Sequence, residues 1–368
     1  MTREEVRIGV IGVGQIGKAH LAAYQKIPGA RVVALADSNG EELARVAAGA
    51  GVQTIETDFR ALLARAEIDA VDVCLHNNLH MPVTVAALEA GKHVYCEKPM
   101  AGSYRDAQAM MDAARRTGRK LSIQLSTLYT PETKAANALI REGRLGKLYH
   151  ARSVGFRRRG RPFVDGYASQ SFVQKRVAAG GAMYDVGVYH LAQILYLLGT
   201  PAVERVSGKT YQEIGMDEKR RAASGYDVEE LGLGFVRLAG NMSMDIFESW
   251  AVMLDGMQGS VVLGSQGGVR LQPFGFFHAA GDLDLDSTAD LSKFMTRQHS
   301  VQGIGDEYDT AQNHWIAALQ DRVELLPTAE LALAAMLVSE GIYLSEKLGR
   351  EVSADEVRQA SVSTASGV

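Results

Sequence analysis

Apolar residues in the first 126 positions come in two alternating rhythms, short β-branched runs and longer stretches repeating at helical spacing. VRIGVIGV (6–13) reads as a strand, and Ala19, Leu21, Ala22 and Ile27 continue as a helix. ARVVALAD, VQTIETD, AVDVCLHNN, KHVYCEKP and KLSIQLS read as further strands. Between them EELARVAAGAG, FRALLARAEID, LHMPVTVAALEAG and SYRDAQAMMDAARRTG read as helices. Strand and helix in strict alternation predict an α/β unit, a doubly wound parallel sheet over 1–126, with ligands at the carboxyl ends of its strands. From 127 to 368 the rhythm changes. After a helix at PETKAANALIREGRLG, strand-like segments dominate: LYHARSVGF, VERVSGKTYQEI, LGLGFVRLAG, NMSMDIFESWAV, GSVVLGSQG and GVRLQPF. They predict an α+β domain on a large, mostly antiparallel sheet, interrupted by one helix over 180–199.

Composition narrows the class. The chain has 368 residues, 46% hydrophobic and 22% charged, with a net charge of −4, which suits two globular domains and recruits neither nucleic acid nor an acidic membrane. Cys74 and Cys96 sit in apolar strand runs without zinc or disulfide spacing, so reduced thiols are expected. The start MTREEVRIGVIG lacks a basic n-region, and no apolar run is expected to span a membrane. A cytoplasmic location follows as the expectation.

The first strand ends in Gly12-Val13-Gly14-Gln15-Ile16-Gly17, a GxGxxG turn that opens a helix, and the second ends on Asp37, twenty residues after Gly17. Glycines there allow a tight turn and close approach to a pyrophosphate, and the helix N-terminus supplies free N–H groups. Gly12, Gly14, Gln15 and Ile16 are the expected pyrophosphate contacts. Asp37 is expected to accept from the ribose 2′-OH, which favours NAD over NADP, with Ser38 beside it where an arginine would favour NADP. Leu75, His76, Asn77 and His80 at the fourth strand end, and Glu97 and Lys98 at the fifth, complete the expected cofactor rim.

The fingerprint, HNNLH, EKPM and GGAMYDVGVYHLAQILYLLG together resemble the glucose-fructose oxidoreductase, inositol dehydrogenase and MocA family, in its tyrosine-bearing branch. The resemblance implies a Rossmann domain followed by an α+β substrate domain, an active site between them, and the EKP lysine on the reacting hydroxyl or the cofactor. Many relatives carry aspartate and, four residues on, histidine. Here these positions hold Asp185 and Tyr189, with His190 next.

Oxidising a secondary alcohol needs hydride transfer and proton loss at one carbinol centre. Lys98 is expected to favour the ionised Tyr189 phenol, Asp185 to bind a second hydroxyl or orient Lys98, and His190 to face another wall or serve as the alternative base. The expected activity is NAD-dependent oxidation of a ring hydroxyl in a sugar, glycoside or cyclic polyol, with C3 oxidation to a 3-keto sugar and a retained cofactor as refinements. Alternatives are an NAD-dependent glycosidase and a non-catalytic NAD or sugar sensor. A homo-oligomer, dimer or tetramer, is expected as the way an open second sheet is covered.

Other features are weaker. Asp282, Asp284 and Asp286 mimic a calcium loop without its glycine and glutamate, so a polar strand and loop is expected. No histidine pair has zinc spacing, and no metal is expected. Arg157, Arg158, Arg159 and Arg161 suit an anionic substituent, solvent or a subunit contact. Tyr308, His314 and Trp315 are either substrate wall or core.

Overall fold

A computed structural model describes residues 4–303 and 305–368. Two sheets organise it. The first contains β1 (Val6–Ile11), β2 (Ala30–Ala36), β3 (Thr54–Glu56), β4 (Ala70–Val73), β5 (His93–Cys96) and β6 (Leu121–Ile123). Its order is β3-β2-β1-β4-β5-β6 and every pairing is parallel. Strand order reverses between β1 and β4, the switch point where dinucleotide folds open a crevice. β1 and β4 are buried nearly throughout, as parallel strands covered by helices on both faces must be.

The second sheet contains β7 (Leu148–Gly155), β8 (Val203–Tyr211), β9 (Leu231–Leu238), β10 (Met242–Ser249), β11 (Val261–Gly264), β12 (Gly267–Arg270), β13 (Gly275–Ala280), β14 (Leu283–Ser287) and β15 (Val352–Ser353). Its order is β14-β13-β12-β11-β7-β10-β9-β8-β15, antiparallel except between β7 and β10. The parallel sheet and the large, mostly antiparallel one are the fold class expected from the rhythm of the sequence.

Four local expectations need correction. The polar residues after β4 do not extend the strand: Asn77 opens the helix Asn77–Glu89, with His76 at its N-cap. The helix expected over 180–199 is broken into a π-helical turn, Met183–Gly187, and an α-helix, Val188–Leu197. The helix at 59–69 contracts to Phe59–Leu63, capped by Asp58. Finally, a 21-residue helix, Thr328–Leu348, was not foreseen, and it carries an 18-residue window apolar enough to cross a membrane. Its burial explains that composition: 67% of the window is inside the fold, where the helix packs on β8 and β9 and against β6 and the helix Tyr104–Thr117. It therefore joins the two sheets.

Candidate active site

The glycine turn has a distinct physical reason at each position. Gly12 has φ +95°, and a Cβ there would lie 2.3 Å from the Cys74 carbonyl oxygen. A Cβ on Gly17 would lie 2.0 Å from the Gly12 carbonyl oxygen, so the third glycine lets the helix Gln15–Tyr24 pack on the turn. Gly14 alone faces open space. It is also an N-cap without a side-chain hydrogen bond, so exposed Gln15 and Ile16 follow with first-turn N–H groups directed outward. This cradle fits a pyrophosphate. Asp37 directly follows β2 and accepts from Val13 N at 2.8 Å and Asn39 N at 2.9 Å. It thus ties the glycine turn to the second strand, with exposed Ser38 beside it. Lys18 is paired with Glu42, and Arg31 lies 3.6 Å from Glu5. Both cations that could have approached Asp37 are engaged elsewhere.

At the end of β4, Leu75 lies against Gly12 and His76 is exposed. Asn77 donates to the Ala178 carbonyl at 2.8 Å, fastening this edge to the segment leading into the π-turn. His80 is fully buried, with one ring nitrogen 2.8 Å from the Pro99 carbonyl and the other 3.0 Å from that of Leu75. It joins the ends of β4 and β5 from inside, so its ring does not line the cleft.

Lys98 follows β5, and its ammonium reaches across to the π-turn. It donates to Asp185 Oδ1 at 2.8 Å and to the Asp185 carbonyl at 2.9 Å, and lies over the Tyr189 ring, 4.7 Å from its centroid. Burial opposes the Lys98 charge, but Asp185, Tyr189 and Glu97 outweigh it and hold its proton more tightly than usual. For Asp185, burial is outweighed by Lys98, with help from Arg157 and Trp250, and its carboxyl is held below the ordinary aspartate value. Its second oxygen accepts from Trp250 Nε1 at 2.8 Å and lies 3.5 Å from Arg157.

Tyr189 differs from the sequence-based expectation. Burial pushes its phenol up to about 12, and Lys98 only partly opposes this. The ammonium sits over the ring face, with its short contacts to Asp185, while the phenol donates to Gln124 at 3.3 Å. His190 faces the second sheet, where Nδ1 lies 2.9 Å from Glu248 and its ring lies beside Gly155. Burial pulls the imidazole down, but Glu248 outweighs it and raises its proton affinity overall.

The π-turn that presents these residues is held by Glu229, which was not foreseen. Its carboxyl accepts from Gly181 N at 2.9 Å, Met183 N at 3.0 Å and the Tyr343 hydroxyl at 2.7 Å. Trp250 was also missed, because its role depends on contact across 65 positions. Of the arginine cluster, only Arg157 reaches Asp185. Arg158 and Arg159 are exposed. Arg161 is fully buried, paired with Asp165 and Glu230 at 2.9 Å each, so it is neither solvated nor open to a ligand. His314 and Trp315 are buried: His314 accepts from Leu326 N, and Trp315 stacks on Tyr95 at 5.9 Å. Tyr308 packs beside His314. Asp284 and Asp286 lie on β14, after a turn at Asp282.

Comparison with known proteins agrees with this architecture. Residues 6–125 match the profile described as "Oxidoreductase family, NAD-binding Rossmann fold", and residues 133–270 that of the "GFO/IDH/MocA C-terminal domain". D-glucoside 3-dehydrogenase of Escherichia coli is 33% identical over 216 residues, a match spanning 58% of this chain and 60% of that one. D-apiose dehydrogenase of Paraburkholderia graminis is 27% identical over 97% of this chain and 93% of its own. In fold, the chain is similar to levoglucosan dehydrogenase solved with NADH and levoglucosan, with TM-score 0.78, 20% identity and coverage of 95% of this chain and 99% of that one.

Proposed function

The chain belongs to the GFO/IDH/MocA oxidoreductase family, and on that premise we propose that it transfers a hydride between NAD and a ring hydroxyl of a sugar, glycoside or cyclic polyol. One observation carries the reading. Two of the three Lys98 ammonium donors are engaged by Asp185, leaving one for a substrate oxygen at the carboxyl end of β5, on the same edge of the sheet as the glycine turn after β1. Bound NAD supplies the hydride acceptor.

This chain's residues then have separable tasks. Lys98 stabilises negative charge developing on the hydroxyl oxygen. Asp185 fixes Lys98, and Trp250 fixes Asp185. Lys98 and Tyr189 are both protonated at neutral pH, so they are in the form that can give a proton to the strongly basic alkoxide produced when hydride reaches an incoming ketone. In the oxidation direction the relay must lose its proton, and the rate is expected to rise into the alkaline range. The names of relatives that act on glucosides, levoglucosan and inositol support a cyclic polyol substrate. The glucoside relative favours C3 as the oxidised carbon.

The test is a panel of methyl glucosides, levoglucosan and inositols with NAD, followed through NADH formation, with product NMR to locate the carbonyl. NADH formation with at least one ring polyol is expected. Failure across the panel by a protein that binds NADH would overturn the reading. Mass spectrometry of the purified protein tests whether cofactor is retained.

We further place a second copy of the chain on the sheet face opposite the helix Thr328–Leu348. Leu233, Phe235 and Phe247 lie there around paired Arg152 and Asp245, and Phe235 is 40% exposed. Light scattering of Phe235→Asp, expected to shift the protein toward monomer, tests that placement.

A further inference from the structure

Behind Lys98 lies a buried polar cluster that no sequence motif announced. His20, on the fingerprint helix, is 4% exposed. Its Nδ1 lies 2.8 Å from Asp72 Oδ2, and its Nε2 lies 2.9 Å from Glu97 Oε1. Asp72 is on β4, and Glu97 immediately precedes Lys98. The remaining acceptor capacity of both carboxylates is also addressed. Tyr24 donates its hydroxyl to Asp72 Oδ2 at 2.8 Å, Cys74 its thiol to Asp72 Oδ1 at 3.3 Å, and Lys98 its backbone N–H to Glu97 Oε2 at 3.0 Å. A neutral imidazole has one N–H. Here both ring nitrogens face carboxylate oxygens, and each carboxylate also accepts from another group, an arrangement complete only when the ring carries both protons.

We propose that His20 is a positioning residue: an imidazolium bracketed by Asp72 and Glu97, it ties the cofactor helix to the Glu97-Lys98 turn and sets how tightly the reacting site holds its protons. This rests on the reading of Lys98 given above. The groups facing the ring are Tyr24 on its own helix, Asp72 and Cys74 from β4, and Tyr95 and Glu97 from β5 and its end. Burial alone would strip the ring of its charge, but Asp72 leads the contributions that reverse this. The charge also reaches the site. It favours ionisation of Tyr189, while Glu97 opposes it and strengthens the Lys98 hold on its proton. His20 therefore offsets at Tyr189 part of the field of Glu97, which raises the proton affinity of both Tyr189 and Lys98.

The consequence is a shift with a definite sign. His20→Gln keeps a polar side chain but removes the positive charge, so the alkaline rise of kcat/KM for oxidation should move to higher pH. The change corresponds to roughly a tenfold gain in proton affinity, with NADH affinity nearly unchanged. His20→Gln combined with Glu97→Gln removes one charge of each sign and should return the rise toward its original pH. A residue that only filled space would lower kcat without moving the profile, and that result would overturn the proposal. Should His20→Gln not fold, ¹⁵N-histidine NMR of the unaltered protein decides the point. The proposal requires one ring protonated on both nitrogens at pH 9, and a full set of neutral rings there would overturn it. A fully active Lys98→Ala would instead remove the catalytic reading of Lys98, while the NMR result would still report on the bracketed ring.

Discussion

Replacing Asp185 with Asn tests the electrostatic reasoning at its most exposed point. The aspartate separates two donors, with Lys98 on Oδ1 at 2.8 Å and Trp250 on Oδ2 at 2.8 Å. An amide offers one acceptor oxygen in place of two, so either the lysine or the indole loses its partner. If the lysine does, it forfeits a hydrogen bond to a charged group, worth about 1.5–3 kcal/mol. The Lys98 and Asp185 side chains are only 12% and 17% exposed, so solvent screens little of this. At 1.36 kcal/mol per tenfold, Lys98 would hold its proton about ten- to a hundredfold less tightly. The Tyr189 phenol moves the same way, because the Asp185 charge helps keep it protonated. The alkaline rise of kcat/KM for oxidation should therefore move about one to two pH units toward neutrality, even as misplacement of Lys98 lowers the maximum. The assay is NADH formation with an active substrate from pH 6 to 10 for both proteins, with NADH binding titrated in parallel. An unmoved rise would mean that the titrating group lies outside the contact of Asp185. A limb above the ordinary histidine value of about 6.5 that does not move in Asp185→Asn would point to His190, whose proton affinity is raised by Glu248.

Lys98→Ala should lower kcat by about a hundredfold or more, the scale of losing a positioned proton relay or charge donor, with NADH binding retained; near-normal turnover would return Lys98 to a structural role. Asp37 should make NADP bind at least tenfold more weakly than NAD, since its carboxylate would lie against a 2′-phosphate, and fluorescence titration showing equal affinities would refute that. Tyr189→Phe keeps the ring beneath the ammonium and removes the hydroxyl, so a collapse of activity with unchanged melting temperature would assign the proton to the phenol, and full activity would assign it elsewhere. His190→Asn should cost more stability at pH 6 than at pH 9 in urea unfolding. A histidine whose folded-state proton affinity is raised contributes fully below its unfolded value and loses that contribution as pH passes its folded one.

The parallel sheet was legible because its central strands are buried on both faces and the helices between them show their own period. The same rule concealed the helix Thr328–Leu348. It is enclosed between the two sheets, so its apolar positions run nearly all around, and its residues from Leu331 through Ala335, Met336 and Val338 to Ile342 are buried. Pro327 before it, Glu330 in its first turn, Lys347 in its last and the closing Gly349, with φ +67°, were the local signals available. The short β13 and β15 also escaped, since Val352–Ser353 is a strand only through pairing with Arg205 and Val206.

For the site, glycines and strand ends were legible as local grammar, while partners were not. Lys98 and Asp185 could each be singled out from their surroundings in the chain, but their ion pair joins positions 87 apart. The difference between Tyr189 and His190 shows why this matters. On a regular α-helix, Asp185 and Tyr189 share a face and His190 turns away. A π-helical turn runs from Met183 to Gly187 instead, yet the same partition holds, with Lys98 on Asp185 and over the Tyr189 ring and His190 turned to Glu248. Gly187 makes room for it: a Cβ there would lie 3.2 Å from Glu248 Cγ, and Glu248 is the residue that holds His190. The turn thus sets Asp185 against Lys98 while Tyr189 lies beneath the ammonium and His190 meets the second sheet. Sequence spacing places these side chains but does not give their proton affinities, which burial raises for Tyr189 and Glu248 raises for His190. The choice must come from the pH at which each variant loses its rate.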